Sequence, residues 1–178
     1  MEQCAVLVED GLVADVFSEK RFKKRDFDPG VQVIDVEGAY IAPGFIDTHI
    51  HGVGGYGTED SVYCDSADPV TVGMESVLAM SELLAARGVT AFNPTLYPSE
   101  PELLLRAIRA ITSAMGKEKG ARIMGLHLEV PFISAGRLGV QRLEAVRPVD
   151  LGFMQELWEA SQGRIVNMTV APTPLARF

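Results

Sequence analysis

A chain of 178 residues, 47% hydrophobic and 22% charged, has enough apolar content for a substantial core, which argues against a disordered polymer. A net charge of −8 and a pI near 4.9 speak against a nucleic-acid partner, because such binders carry a clustered basic face. The one basic run, Lys20 to Arg25, is short, contains Phe22 and reads as a solvated loop. Cys4 and Cys64 are too few for a disulfide framework and read as reduced thiols. The N-terminus shows no basic region followed by an apolar stretch, and no later apolar run reaches membrane-spanning length. A cytoplasmic location without a membrane partner is expected.

Residues 4–17 alternate around Asp10-Gly11, a favoured two-residue turn, and predict strands at 5–8 and 12–17. A second pair is expected at 31–36 and 40–42 across Glu37-Gly38, so residues 1–42 read as a small β-sandwich-type module. From Pro43 the rhythm changes to strand, loop and helix in alternation, the pattern of parallel βα units. Strands are expected at 44–51, at 89–93 with Pro94 ending it, at 123–129 and at 164–171. The first connecting helix spans 69–87 and stops at Gly88. The second follows a capping box of Ser99 and Glu102 and buries Leu104, Ile108, Ile111 and Met115; the third spans 151–161. Glycines 52, 54, 55 and 57 read as a flexible loop, because no helix begins directly after them to complete an anion cradle. Continuous apolar strands with helical crossovers place residues 43–178 in the α/β class, as about four strands of a (β/α)8 TIM-type barrel. A complete barrel takes about 250 residues, so half of one is expected here.

All three histidines fall inside two of these strands, His49 and His51 in Pro43-Gly-Phe-Ile-Asp-Thr-His-Ile-His-Gly and His127 in Gly125-Leu-His-Leu-Glu-Val-Pro-Phe. Alternate side chains of a strand share a face, so Asp47, His49 and His51 point one way, and His127 with Glu129 repeats the arrangement. Adjacent barrel strands would bring two imidazoles and a carboxylate together at their C-terminal ends, a ligand set suited to zinc or a similar divalent ion. A single strand histidine is usually a satisfied core or rim residue, and His127 alone would receive that reading.

The first of these segments resembles the first-strand signature of the amidohydrolase superfamily. Leu126-His-Leu-Glu-Val-Pro-Phe resembles the third-strand motif of N-acetylglucosamine-6-phosphate deacetylases, and Gly88-Val-Thr-Ala-Phe-Asn-Pro-Thr and Val170-Ala-Pro extend the likeness over nearly the whole chain. The resemblance implies a metal-dependent hydrolase on a distorted barrel with a small β-sandwich domain. Its substrate would be an N-acetyl amino-sugar phosphate, from which it removes acetate. It implies Glu129 as a principal ligand of a divalent metal, zinc first and iron or manganese as alternatives, with His49 and His51 as first-strand ligands. His127 is then a group that orients ligands or sugar. Gln141, standing where the family has a sugar-facing histidine, is a hydrogen-bonding substrate group. Two further departures are Val130 in place of a glycine beside Glu129, and Thr173 in place of a glutamate. The family's general base falls beyond residue 178, so no catalytic residue is expected within this chain. The alternative reading is a catalytically incomplete fragment or half-barrel interaction protein; a cyclic-amide hydrolase or deaminase is disfavoured by the 126–132 motif. The open edge at residues 165–170 carries the expectation of a homo-oligomer or a complementing C-terminal half.

Overall fold

The computed structural model describes residues 4–97, 99–129, 131–139, 141 and 143–171, so Val130 and Thr173 lie outside the described residues. The chain divides into two compact units, Met1–Pro43 and Gly44–Phe178.

In the first unit, β1 (Cys4–Glu9) and β2 (Leu12–Ser18) form an antiparallel hairpin. Asp10 and Gly11 at its tip both take positive φ, 51° and 76°, as a type I′ turn requires. The basic run, expected as a loop, opens instead as a one-turn helix, α1 (Glu19–Phe22), whose first turn is capped by Ser18 Oγ accepting from Arg21 N–H. Arg25 lies over the rings of Phe17 and Phe27, and both Arg21 and Arg25 pair with Asp15. The expected strand pair at 31–36 and 40–42 does not form; only its turn does. Asp35 accepts from Glu37 N–H, Ala39 N–H bonds to Val36 O, and Glu37 and Gly38 are left-handed. Among the described residues this unit holds a single two-stranded sheet, β1-β2, and residues 31–36 and 40–42 do not join it.

The second unit is a parallel sheet with helical crossovers. Its strands are β3 (Phe45–Ile50), β6 (Val89–Leu96), β7 (Arg122–Ile123), β8 (Leu126–Leu128) and β9 (Ile165–Met168), in the order β3-β6-β8-β9 with β7 also paired to β6. Between β3 and β6 come a small hairpin, β4 (Gly52–Val53) and β5 (Tyr56–Gly57), and α2 (Pro69–Ala85). The glycine-rich stretch expected as a flexible loop is this hairpin, with Gly54 and Gly55 left-handed at its tip. Asp68 caps α2 by accepting from Thr71 N–H, Pro69 opens it, and Gly88 beyond its end has φ 81°. The next helix, α3 (Pro101–Ala114), lacks the expected capping box. Glu100 precedes proline and is held extended at ψ 145°, so the helix starts at Pro101, too late for Ser99 to cap it. For α4 (Leu151–Ala160), Asp150 accepts from Gly152 and Phe153 N–H.

The helices cover one face of the sheet. Val77, Met80 and Leu84 of α2, Leu104, Ile108 and Ile111 of α3, and Leu157 of α4 pack with Phe92, Leu96, Leu126 and Leu128. Gly73 lets α2 approach closely: a Cβ there would lie 2.9 Å from Ala110 Cβ and 2.7 Å from Ser61 Cβ. Strand β6 continues through Pro94, contrary to expectation. Pro94 lies opposite Ile50, where the ladder to β3 is already irregular, so its missing N–H breaks no regular pairing.

The expected strand at 123–129 is broken into β7 and β8. Phe92 lies opposite Ile123, yet Leu96, four residues on, lies opposite Leu128, five residues on. One extra residue is therefore taken up around Met124–Gly125, a bulge that reverses which side chains face the helices. Ile123, Leu126 and Leu128 all enter the core, and His127 is turned to the other face together with Asn93 and Thr95. The backbone of Gly125 lies hard against β9, where a Cβ would meet Val166 Cγ1 at 2.3 Å and Arg164 O at 2.7 Å.

Candidate metal centre

The C-terminal ends of β3 and β8 bring three donors together. His49 Nε2 is 3.2 Å from His51 Nε2, which is 3.2 Å from Glu129 Oε2, and all three donor atoms lie within 4.8 Å of one another. Asp47 does not join them; its carboxylate accepts from His49 N–H at 3.1 Å and steadies the end of β3. Glu129 is tied to β6 by its N–H, which donates to Leu96 O. His51 Nδ1 is 3.0 Å from Thr95 O, and because a carbonyl only accepts, Nδ1 carries the proton and Nε2 presents a lone pair. Burial holds the His51 pKa below its ordinary value against the opposing pull of Glu129, which favours the neutral ring a ligand needs.

This arrangement fits a divalent cation. Among the described residues Glu129 Oε2 is buried without a hydrogen-bond donor, and with the His51 proton on Nδ1 the 3.2 Å approach sets a carboxylate oxygen against an imidazole lone pair. Two nitrogens and one oxygen are a zinc-type donor set, and ligands of one zinc ion at about 2.1 Å lie roughly 3.4 Å apart.

His127 is buried, with Nδ1 3.3 Å from Thr95 Oγ1, Nε2 3.1 Å from Thr169 Oγ1, and its ring edge-on to His49 at 4.9 Å between centroids. Burial lowers its pKa too. Both its nitrogens are engaged, so it packs beside the three donors rather than joining them. Gln141 donates its N–H to Leu138 O, and among the described residues no hydrogen bond links it to His49, His51 or Glu129.

Two side chains at the centre were not anticipated from the sequence. The Tyr97 ring is stacked on His51, 3.7 Å between centroids and 3° between planes, and Tyr97 N–H donates to Glu59 Oε1 at 2.7 Å. Ending the strand at Pro94 hid Tyr97, although site groups at barrel strand ends were the available signal. Nothing in the local sequence marks Glu59.

A parallel β/α sheet gathering imidazoles and a carboxylate at its strand ends defines an α/β protein with a candidate cation centre. The chain belongs to the Amidohydrolase family, whose profile matches residues 40–175. The N-acetylglucosamine-6-phosphate deacetylase of Danio rerio is 32% identical over 142 residues, 78% of this chain and 33% of the relative. The Pasteurella multocida N-acetylglucosamine-6-phosphate deacetylase structure superposes with a TM-score of 0.73 at 23% identity, covering 96% of this chain and 40% of that one; this likeness concerns the fold. A variant of the Mycobacterium smegmatis deacetylase in complex with N-acetyl-D-glucosamine-6-phosphate has a TM-score of 0.63 at 26% identity, over 89% of this chain and 36% of that one. The chain spans about a third of the length of such curated relatives. Among the described residues no helix is long and apolar enough to cross a membrane.

Proposed function

We propose that this chain contributes the metal-binding strand ends of an amide hydrolase that removes acetate from an N-acetyl amino-sugar phosphate. The observation that carries the reading is the convergence of His49 Nε2, His51 Nε2 and Glu129 Oε2, the last without a donor among the described residues. The relatives named as deacetylases of N-acetylglucosamine 6-phosphate support the substrate class. A divalent cation held by these residues, zinc first and iron or manganese as alternatives, supplies Lewis acidity toward an amide carbonyl and lowers the pKa of water. The Thr95 carbonyl keeps the His51 proton on Nδ1, Glu129 supplies negative charge, and His127 braces His49. Gln141 is assigned a hydrogen bond to the sugar.

No general base is assigned among the described residues, and without one about 10²–10⁴-fold of acid–base acceleration stays unrealised. Acetate release from N-acetylglucosamine 6-phosphate with added zinc should stay near baseline for the chain by itself. It should rise when a second chain carrying the remaining barrel strands is supplied, and the gain should vanish with Glu129→Gln. Ordinary turnover by the chain alone, or a gain indifferent to Glu129, refutes the proposal.

A second reading, a half-barrel that works by association, is supported by its sheet edges. Phe45 and Ile46 on β3 are 72% and 59% exposed, and Val166 of β9 and Val170 beyond it 55% and 56%. Light scattering should find self-association; a monomer at high concentration counts against this reading.

A further inference from the structure

His51 is gripped on two sides by the end of β6 and the residue just beyond it. Its Nδ1 meets Thr95 O at 3.0 Å, and the same carbonyl accepts from Thr58 Oγ1 at 2.8 Å. Two residues on, Tyr97 lays its ring flat on the imidazole. Tyr97 is itself anchored, because its N–H donates at 2.7 Å to the carboxylate of Glu59, a side chain only 9% exposed. Thr58 and Glu59 follow β5 directly, and Thr58 N–H bonds to His51 O at 2.8 Å, so one short segment holds the histidine backbone, the carbonyl and the aromatic amide together.

These contacts divide the work. A hydrogen bond at Nδ1 restrains one corner of the imidazole and still allows the ring to tilt about that point. A face-on aromatic contact restrains the plane. Only the two combined fix the direction of the Nε2 lone pair.

We propose that Tyr97 is a positioning residue of the candidate metal centre, its ring holding the His51 plane so that Nε2 faces His49 and Glu129, with Glu59 anchoring it. This rests on the reading of His49, His51 and Glu129 as cation ligands. Partners of a metal-ligating histidine outside the ligand set are typically worth 10–100-fold in metal affinity. The ring face makes the contact, so the phenol oxygen is dispensable.

The test is titration of the full 178-residue chain with Co²⁺, followed by visible absorption, beside the NOEs from the His51 ring to its neighbours in cation-free protein. Tyr97→Leu should weaken Co²⁺ by about tenfold or more, alter the absorption band, and replace the single set of His51 ring NOEs by an averaged one. Tyr97→Phe should match the parent in each readout. Because Tyr97 is 38% exposed, its truncation spares the core, and Tyr97→Val provides a second truncation with the same expected losses. A Tyr97→Leu protein that binds Co²⁺ as the parent does overturns the inference, as does a Tyr97→Phe protein weakened as much as Tyr97→Leu. A parent chain that binds no Co²⁺ overturns the ligand reading instead. The cation-free NOEs then decide alone, with an unchanged set in Tyr97→Leu overturning the positioning role and an averaged set upholding it.

Discussion

Replacing Glu129 by glutamine removes the only anionic donor of the three while conserving shape. In the cation-free protein Oε2 is buried without a donor among the described residues and faces the His51 lone pair. A glutamine amide can turn an N–H toward that lone pair, so the cation-free variant should melt at or above the parent temperature. With zinc the order reverses. At a free concentration 100 times Kd the parent gains about 2.7 kcal/mol, which at 2–4 °C per kcal/mol for a chain of this size raises Tm by about 5–11 °C. An affinity loss of about 100-fold, the upper end for disturbing even an outer partner, leaves the variant at its Kd with a gain of about 0.4 kcal/mol, or about 1–2 °C. Differential scanning calorimetry with zinc and with chelator reads both numbers. Equal zinc-induced shifts in parent and variant would refute the ligand assignment. A cation-free variant melting far below the parent would show that Glu129 holds structure rather than an ion.

Gly125→Ala should cost about 1–3 kcal/mol in urea denaturation, because its Cβ would press on Arg164 O and Val166 Cγ1 and part β8 from β9; an unchanged midpoint would deny that close approach. Leu128→Ala empties a fully buried site in the core and should cost about 2–5 kcal/mol by the same measurement, with a loss under 1 kcal/mol contradicting its packing. Burial pushes the Glu59 carboxyl above the ordinary carboxylate range, against the opposing hydrogen bonds from Tyr97 N–H and Tyr63. The folded state therefore holds that proton more tightly than the unfolded one, and the stability this contributes declines as pH rises from the ordinary carboxylate pKa through the raised value. Glu59→Gln has no such proton, so the stability difference, variant minus parent, should grow with pH across that window; a difference that shrinks would reverse the assigned sign.

Much of the βα part was legible because its signals are local. Pro69 and Gly88 bound α2 by local chemistry that needs no tertiary partner, and the Leu104, Ile108, Ile111 stripe reports a helix face directly. The donors could be proposed because two short strands concentrated every imidazole of the chain. What was missed depends on neighbours. Residues 31–36 and 40–42 have strand-like composition but no ladder to join. Pro94 stays in β6 because β3 is irregular beside it, and Ser99 loses its cap to the restriction that Pro101 places on Glu100. Tyr97 and Glu59 matter only through a hairpin whose return lands beside the end of β6, a meeting that no sequence spacing announces.

The bulge between β7 and β8 separates two duties that a regular strand would tie together. Ahead of it, odd-numbered Ile123 serves the core; behind it, even-numbered Leu126 and Leu128 do, and the odd positions are released to the chemistry of His127 and Glu129. The slip acts as a phase shifter. Removing one residue between Ile123 and Leu126 would leave every site residue in the chain yet rotate the imidazole and carboxylate into the hydrocarbon side and the leucines into the polar one. For this segment the length of the chain carries as much chemical meaning as the identity of its side chains.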